Sequence, residues 1–495
     1  MAILYIRADR KRSVINRNIY GHFAEHLGRG IYEGIFVGKD SPIPNTRGIR
    51  TDVLNALKHI HVPVIRWPGG CFAEYYNWRD GIGQQRKKMI NSSWGGVIEN
   101  NAFGTHEYFD LCEQLGCATY IAANVGSGTP REVSEWVEYV TFNGESELTE
   151  LRRKNDRTKP WTLDFIGIGN ENWGCGGHMR PEYYADLYRQ FESFIRHYGQ
   201  KKIQRVACGP DGDDQDWTET VMKLAHHRMD GISLHYYTMP GYYKTDKYKW
   251  EVKASSTVFD EHQYYRTLDR AYFMDELILR HKRIMDKYDP DKNVALIVDE
   301  WGTWHLAEEG TNPAFLYQQN TMRDAIVAAL TLNIFNLHSD RVSMANLAQM
   351  INVLQSLILT EGDQMVLTPT YHVFDLYKGH QNATLIETYI EADDLTIHGA
   401  QLPHLHVSAS EREDGCIHLT IVNLSANEAV DLHSYVKEKN VTKAHIRYLT
   451  GAITDHNTFE HPEQVTIQSV EAIDIHHNEL QLTIPCCSVY EVILA

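Results

Sequence analysis

Along the chain, short and nearly continuous apolar runs alternate with stretches whose apolar residues recur every three or four positions. Eight runs stand out: NIYGHFAEHL (18–27), VPVIRWPGG (62–70), ATYIAANVG (118–126), DFIGIGNE (164–171), QRVACGP (204–210), DGISLHYY (230–237), VALIVDEWG (294–302) and MANLAQ (344–349). Runs without polar alternation fit strands covered on both faces, as in a parallel sheet. The segments between them read as helices. In PEYYADLYRQFESFIRHYG (181–199), Tyr184, Leu187, Tyr188, Phe191, Phe194 and Ile195 fall on one helical face. Pro181 suits the first turn of that helix and Gly199 its C-terminal cap. Segments 105–116, 130–142, 268–287 and 318–336 follow the same pattern. Eight strand–helix units predict an α/β fold, a (β/α)8 TIM barrel, with a doubly wound sheet as the alternative because strand count does not prove closure.

The pattern changes after about residue 375. LHVSASEREDGCIHLTIVNLS (405–425) alternates on both sides of Asp414-Gly415, a hairpin signal, and LQLTIP (480–485) alternates too. This tail predicts a C-terminal antiparallel β-sandwich, into which AILYIRA at the start could pair. The expected division is a barrel over 16–375 and a sandwich formed by 1–15 plus 376–495.

Composition narrows the function. The 495 residues carry 65 acidic and 48 basic side chains, a formal net charge of -17, which disfavours a nucleic-acid partner. The local basic stretch RRKNDRTK (152–159) reads as a solvated loop. No apolar run reaches 18 residues, so no membrane span is expected. The segment AIVAALTLNIFNL (325–337) reads as a buried helix instead. MAILYIRADRKRS has too few leading apolar residues for a secretory signal, and eight cysteines without a C-x-x-C pair do not make a disulfide scaffold. A cytoplasmic location is expected.

In such a barrel the chemistry gathers where strands end. Here the strand ends are polar: His22, Glu25 and His26; Arg66 and Trp67, then Asn77 and Trp78; Asn170 and Glu171; His235, Tyr236 and Tyr237; Asp299, Glu300 and Trp301; Asn346 and Gln349. Taken singly, a glutamate after an apolar strand is most often solvated, strand-end histidines are usually structural, and the tryptophans could be core. The coincidence of Asn170-Glu171 at the end of the fourth run and Glu300 in the seventh, with aromatics beside both, points to paired carboxylates for glycosidic bond cleavage. One must be protonated and the other ionised, a separation that environment supplies. GIGNENWG lacks the dinucleotide-binding glycine spacing, and neither H-E-x-x-H nor an EF-hand loop occurs, so no cofactor and no metal is expected.

At these residues the chain resembles the family-51 glycoside hydrolases, the α-L-arabinofuranosidases. The resemblance rests on IYGHFAEHLGRGIYEGIFVG, RWPGGCFAEYYNWRDGIG, GIGNENWGCGG, VDEWGTW and ANLAQMINVLQ, and it spans essentially the whole chain. It implies a retaining, exo-acting enzyme with Glu171 as general acid/base and Glu300 as nucleophile. It further implies Asn170 on the sugar 2-OH, with Glu25, Asn77 and Gln349 on the other furanose hydroxyls. Arg66 would support the floor of the site, and Trp94 and Trp304 would flank the leaving group. Tyr237 is the expected hydroxyl partner of the nucleophile, with Tyr236 the neighbouring alternative. Arabinose-containing oligosaccharides and a homo-oligomer, a hexamer in the family, are implied as well. Cys71 and Cys175 are expected to meet over the rim and to bond, the alternative being two buried free thiols. Competing readings are a β-xylosidase or endo-β-glucanase on the same barrel, an inactive sugar-binding barrel, and a metal-dependent barrel hydrolase.

Overall fold

A computed structural model describes all residues except 200, 241–252 and 398. Its centre is a closed parallel barrel. The eight barrel strands, in chain order, are Gly21–Phe23, Val64–Trp67, Ala118–Ala123, Phe165–Ile168, Gln204–Ala207, Gly231–Thr238, Ala295–Thr303 and Val342–Leu347. Each lies within or overlaps one of the eight apolar runs. Closure comes from the eighth strand pairing with the first, Asn346 opposite Gly21 and Leu347 opposite His22. That pairing removes the doubly wound alternative.

The helices between strands bury one face and start on recognisable signals. Thr129 caps Pro130–Thr141 with a reciprocal Glu132 contact, and Asp260 does the same with Gln263 for Glu261–Tyr288. The helix predicted over 181–199 starts at Pro181 as expected but ends at Phe194. Ile195 leaves the helical conformation and turns its side chain into the core, so Gly199 is not the cap. Met322–Leu337 is buried all round. Its Asn333 and Asn336 bond to His406 O and Ser408 on the C-terminal sheet, so this helix is sandwiched between that sheet and the barrel.

The C-terminal region forms one nine-stranded sheet with its own apolar core, which includes Leu4, Ile6, Leu419, Ile446 and Val492. The N-terminal strand Ala2–Val14 is inserted between Thr384–Glu391 and Val430–Lys437. It pairs antiparallel with the first and parallel with the second, so the sheet is antiparallel except at that one seam. The sequence pattern does not carry that exception, because alternation looks the same in either direction. Among the described residues no helix is long and apolar enough to cross a membrane.

Candidate active site

The C-terminal ends of the barrel strands place Glu171 and Glu300 side by side. Oxygen atoms from both carboxylates and a ring nitrogen of His235 all lie within 4.8 Å of one another. Glu300 sits inside the seventh strand, 6% exposed, and is fixed by side chains. Arg66 Nη1 donates to its Oε1 at 2.8 Å, and the Tyr237 hydroxyl donates to its Oε2 at 2.8 Å. Burial and then the charge of Glu171 push its carboxyl above the usual range, while His235 and Arg66 oppose that shift.

Glu171 lies just beyond the fourth strand, on a loop. Its φ is 43°, in the left-handed region that non-glycine residues seldom enter. The loop imposes this conformation. Gly174 and Gly176 both donate their N–H groups to the Glu171 carbonyl, at 2.7 and 3.0 Å. Gly169, at φ 89°, makes the turn out of the strand. Trp173 ties the loop to the next strand end through Nε1 and Gly209 O, 3.1 Å apart.

His235 joins the two carboxylates. Its Nδ1 is 2.9 Å from Glu171 Oε1 and 3.5 Å from Glu300 Oε2, and its Nε2 is 3.1 Å from Asp299 Oδ1. Burial opposes a charge on the ring, but Glu300, Asp299 and Glu171 outweigh it and hold the histidine well above its ordinary range. In its protonated form the His235 ring has no lone pair to offer a metal ion. The three donors could ligate a metal only after that proton left. Asp299 is anchored by Tyr120, whose hydroxyl donates at 2.7 Å, and by Arg66 Nε at 3.3 Å. Burial works against its charge, and Arg66, His235 and Tyr120 overcome that, so its carboxyl falls below the usual range.

Asn170 and Arg66 connect the two halves of the site, Arg66 Nη2 donating to Asn170 Oδ1 at 2.5 Å. Arg66 is 1% exposed and lies over the Phe23 ring. On the opposite wall, Glu25 Oε1 accepts from Phe72 N and Trp94 Nε1, each at 3.0 Å, and its Oε2 accepts from Gln349 Nε2 at 3.1 Å. Burial, reinforced by Glu300, pushes the Glu25 carboxyl up to about 7. Gly70 permits this packing, since a Cβ there would lie 2.7 Å from Glu25 Oε1. Trp304 meets Tyr237 edge to face with ring centroids 5.0 Å apart. Tyr236 faces the other way and donates to Arg270 O, so Tyr237 is the tyrosine at Glu300.

Of the expected residues, Arg66, Asn170, Glu171, Tyr237, Glu300 and Trp304 are linked through one another and through His235. Glu25, Trp94 and Gln349 bond among themselves, and Trp94, Tyr237 and Trp304 pack against the same apolar cluster. Asn77 does not join them. Its Oδ1 accepts from Arg79 N at 3.0 Å and caps the short turn Trp78–Gly81. The preceding turn, Cys71–Tyr75, presents Glu74 instead. Glu74 accepts from Asn170 N, from Asn172 Nδ2 at 2.9 Å and from Val125 N at 2.8 Å, so it anchors the start of the Glu171 loop. Sequence reasoning passed over Glu74 and treated His235 as structural. The signal for His235 was its position two residues before Tyr237, on the same face of the sixth strand. Cys71 and Cys175 are joined in a disulfide.

Two α-L-arabinofuranosidase family models match, one over residues 56–269 described as the α-L-arabinofuranosidase 1 domain, and the C-terminal-domain model over 299–488. A Bacteroides ovatus protein described as an intracellular exo-α-L-arabinofuranosidase is 46% identical over 492 residues, 99% of this chain and 94% of that one. The chain belongs to the family-51 α-L-arabinofuranosidases. Solved arabinofuranosidase structures share the architecture. The Xanthomonas axonopodis pv. citri arabinofuranosidase superposes with a TM-score of 0.97 at 46% identity, covering 100% of this chain and 99% of that one. The Thermotoga maritima α-L-arabinofuranosidase in complex with arabinose gives 0.87 at 32% identity, covering 100% and 99%. Family-51 enzymes are glycoside hydrolases, and the β-xylosidase and endo-β-glucanase readings are not favoured.

Proposed function

We propose that Glu300 is the nucleophile and Glu171 the general acid/base of a retaining, exo-acting α-L-arabinofuranosidase. The observation that carries this reading is the closeness of the two carboxylates, with oxygen atoms within 4.8 Å. Retaining glycosidases keep their carboxyls about 5–5.5 Å apart, whereas inverting enzymes need room for a water and separate them by roughly 6.5–9.5 Å. Glu300 attacks the anomeric carbon as Glu171 gives its proton to the leaving oxygen. A covalent arabinosyl-enzyme results. Glu171 then takes a proton from water, which attacks the same carbon and releases L-arabinose with its configuration retained. Arg66 and Tyr237 favour the ionised form of Glu300 by donating to both its oxygens. His235, donating to Glu171 Oε1, leaves Oε2 to carry the proton in flight.

Asn170 binds the sugar 2-OH, and Glu25 and Gln349 hold the remaining furanose hydroxyls. Trp94 and Trp304 flank the leaving group. Asn77 has no place in this scheme. The substrates are short arabinoxylan- or arabinan-derived oligosaccharides, hydrolysed in the cytoplasm by a homo-oligomer, a hexamer in this reading. Residues 16–375 form the catalytic unit, and 1–15 with 376–495 the sheet unit. The test is trapping. A mechanism-based 2-fluoro-arabinofuranosyl reagent should label Glu300, read by peptide mass spectrometry, and proton NMR should show the α-anomer forming first. Initial release of the β-anomer would overturn the retaining assignment.

A further inference from the structure

Glu171 Oε2, the oxygen proposed to carry the catalytic proton, faces sulfur. Cys175 Sγ lies 3.4 Å from it and Cys71 Sγ 3.7 Å. The disulfide joins the turn after the second barrel strand to the loop after the fourth. A disulfide has no proton to donate, whereas a thiol is a weak donor. We propose that the Cys71–Cys175 pair is a redox-sensitive positioning element: oxidised, it leaves a protonated Glu171 Oε2 undisturbed, and reduced, it donates S–H groups that favour the ionised carboxylate and weaken general-acid catalysis.

The inference rests on the assignment of Glu171 as the acid. Reduction needs a dithiol or two thiols as co-reactant. The S–S bond breaks, two S–H bonds form, and the reductant is oxidised to its own disulfide. Cys175 is exposed, so the reductant can reach it. The other groups around Glu171 come from neighbouring strand ends. They are His235 and Tyr237 from the sixth, Glu300 from the seventh, and Cys208 and Asp211 after the fifth. Reduction of the disulfide breaks no bond in any of these groups. Only the sulfur side of the carboxyl acquires donors, so the effect belongs to the proton-donating step rather than to the site as a whole.

The pH dependence of kcat/KM reads that step directly. Two wild-type samples are compared, one oxidised and one treated with a dithiol, each checked by thiol titration. Two substrates are used: an arabinoside with a poor alcohol leaving group, and an activated aryl arabinoside that needs little protonation. With the poor leaving group, reduction should move the alkaline limb to lower pH by about half a unit, the size of one weak hydrogen bond to the charged form. With the activated substrate the profile should not move. Cys71→Ser/Cys175→Ser, whose hydroxyls are also donors, should behave like the reduced enzyme. Superimposable profiles despite two additional thiols per chain would overturn the proposal. So would an equal loss on both substrates at every pH, which would mark a purely structural bridge. The underlying assignment is tested apart, because Glu171→Ala keeping normal turnover on the poor leaving group would refute it whatever the redox state.

Discussion

The two carboxylates of the site are held in opposite ways. Glu300 is part of a strand, and its own side chain is gripped by Arg66 and Tyr237. Glu171 is on a loop, and its backbone is gripped instead, by Gly174, Gly176 and, through the neighbouring Asn170, by Glu74. Its side chain is 17% exposed, against 6% for Glu300. The difference matches the work proposed for each. A nucleophile must be ionised and aimed, which strong donors in a rigid strand provide. An acid/base must exchange protons with leaving group and water, which requires a carboxyl that is placed but not tied at both oxygens.

Substitutions can break this contrast, and the largest effect should come at the strand. Glu300→Ala should lower kcat by about 10⁴-fold or more, because no second group can form the covalent intermediate. Steady-state assays with external azide should then yield an arabinosyl azide of inverted configuration. Glu171→Ala should cost about 10²- to 10⁴-fold in kcat/KM on oligosaccharides. On an activated aryl glycoside the loss should be much smaller, and azide should restore turnover with retained configuration. Equal losses on both substrates would erase the distinction between the two residues.

Tyr237→Phe removes one of the donors on Glu300 while keeping the edge-to-face contact with Trp304. A loss of about 10-fold in kcat/KM is expected, the size of one hydrogen bond to a charged group. Tyr236→Phe should leave kcat/KM nearly unchanged, since that hydroxyl bonds Arg270 O behind the barrel wall.

The smallest effect concerns the loop anchor. Burial, opposed by its backbone donors, pushes the Glu74 carboxyl up to about 7 from an ordinary 4.5. The folded chain therefore holds a proton that the unfolded chain releases between these values. The resulting stability is present below about pH 4.5 and is lost as pH rises through about 7. Thermal melts across this window should show a shallower pH slope for Glu74→Gln than for the wild type. An unchanged slope would mean that Glu74 titrates elsewhere.

Much of the site was legible because each of its main parts follows an apolar run. Glu171 and Glu300 were singled out by that rule and by their pairing, and the structure brings them together. Asn77 was misplaced because the rule says nothing about residues several positions past a strand, where a turn can carry the chain away from the rim. Glu74, in that turn, was invisible for the same reason. His235 was seen but read as structural, since one histidine carries no mark of the three carboxylates that the barrel brings to it. The cysteine pair was anticipated from loop proximity, but the contact of both sulfurs with one oxygen of Glu171 needed coordinates.

By itself, the order of apolar runs determined eight barrel strands, the change to alternation after residue 375, and the polar strand ends. These follow from local periodicity, which burial on one or both faces of an element enforces. Only the tertiary structure decided that the barrel closes through Asn346 and Gly21, and that the N-terminal strand enters the sheet with one parallel seam. It alone decided that Tyr237 rather than Tyr236 faces Glu300, and that His235 spans the two carboxylates. Those outcomes depend on contacts between residues more than 30 positions apart, and no local pattern records which distant side chain will fill a given space.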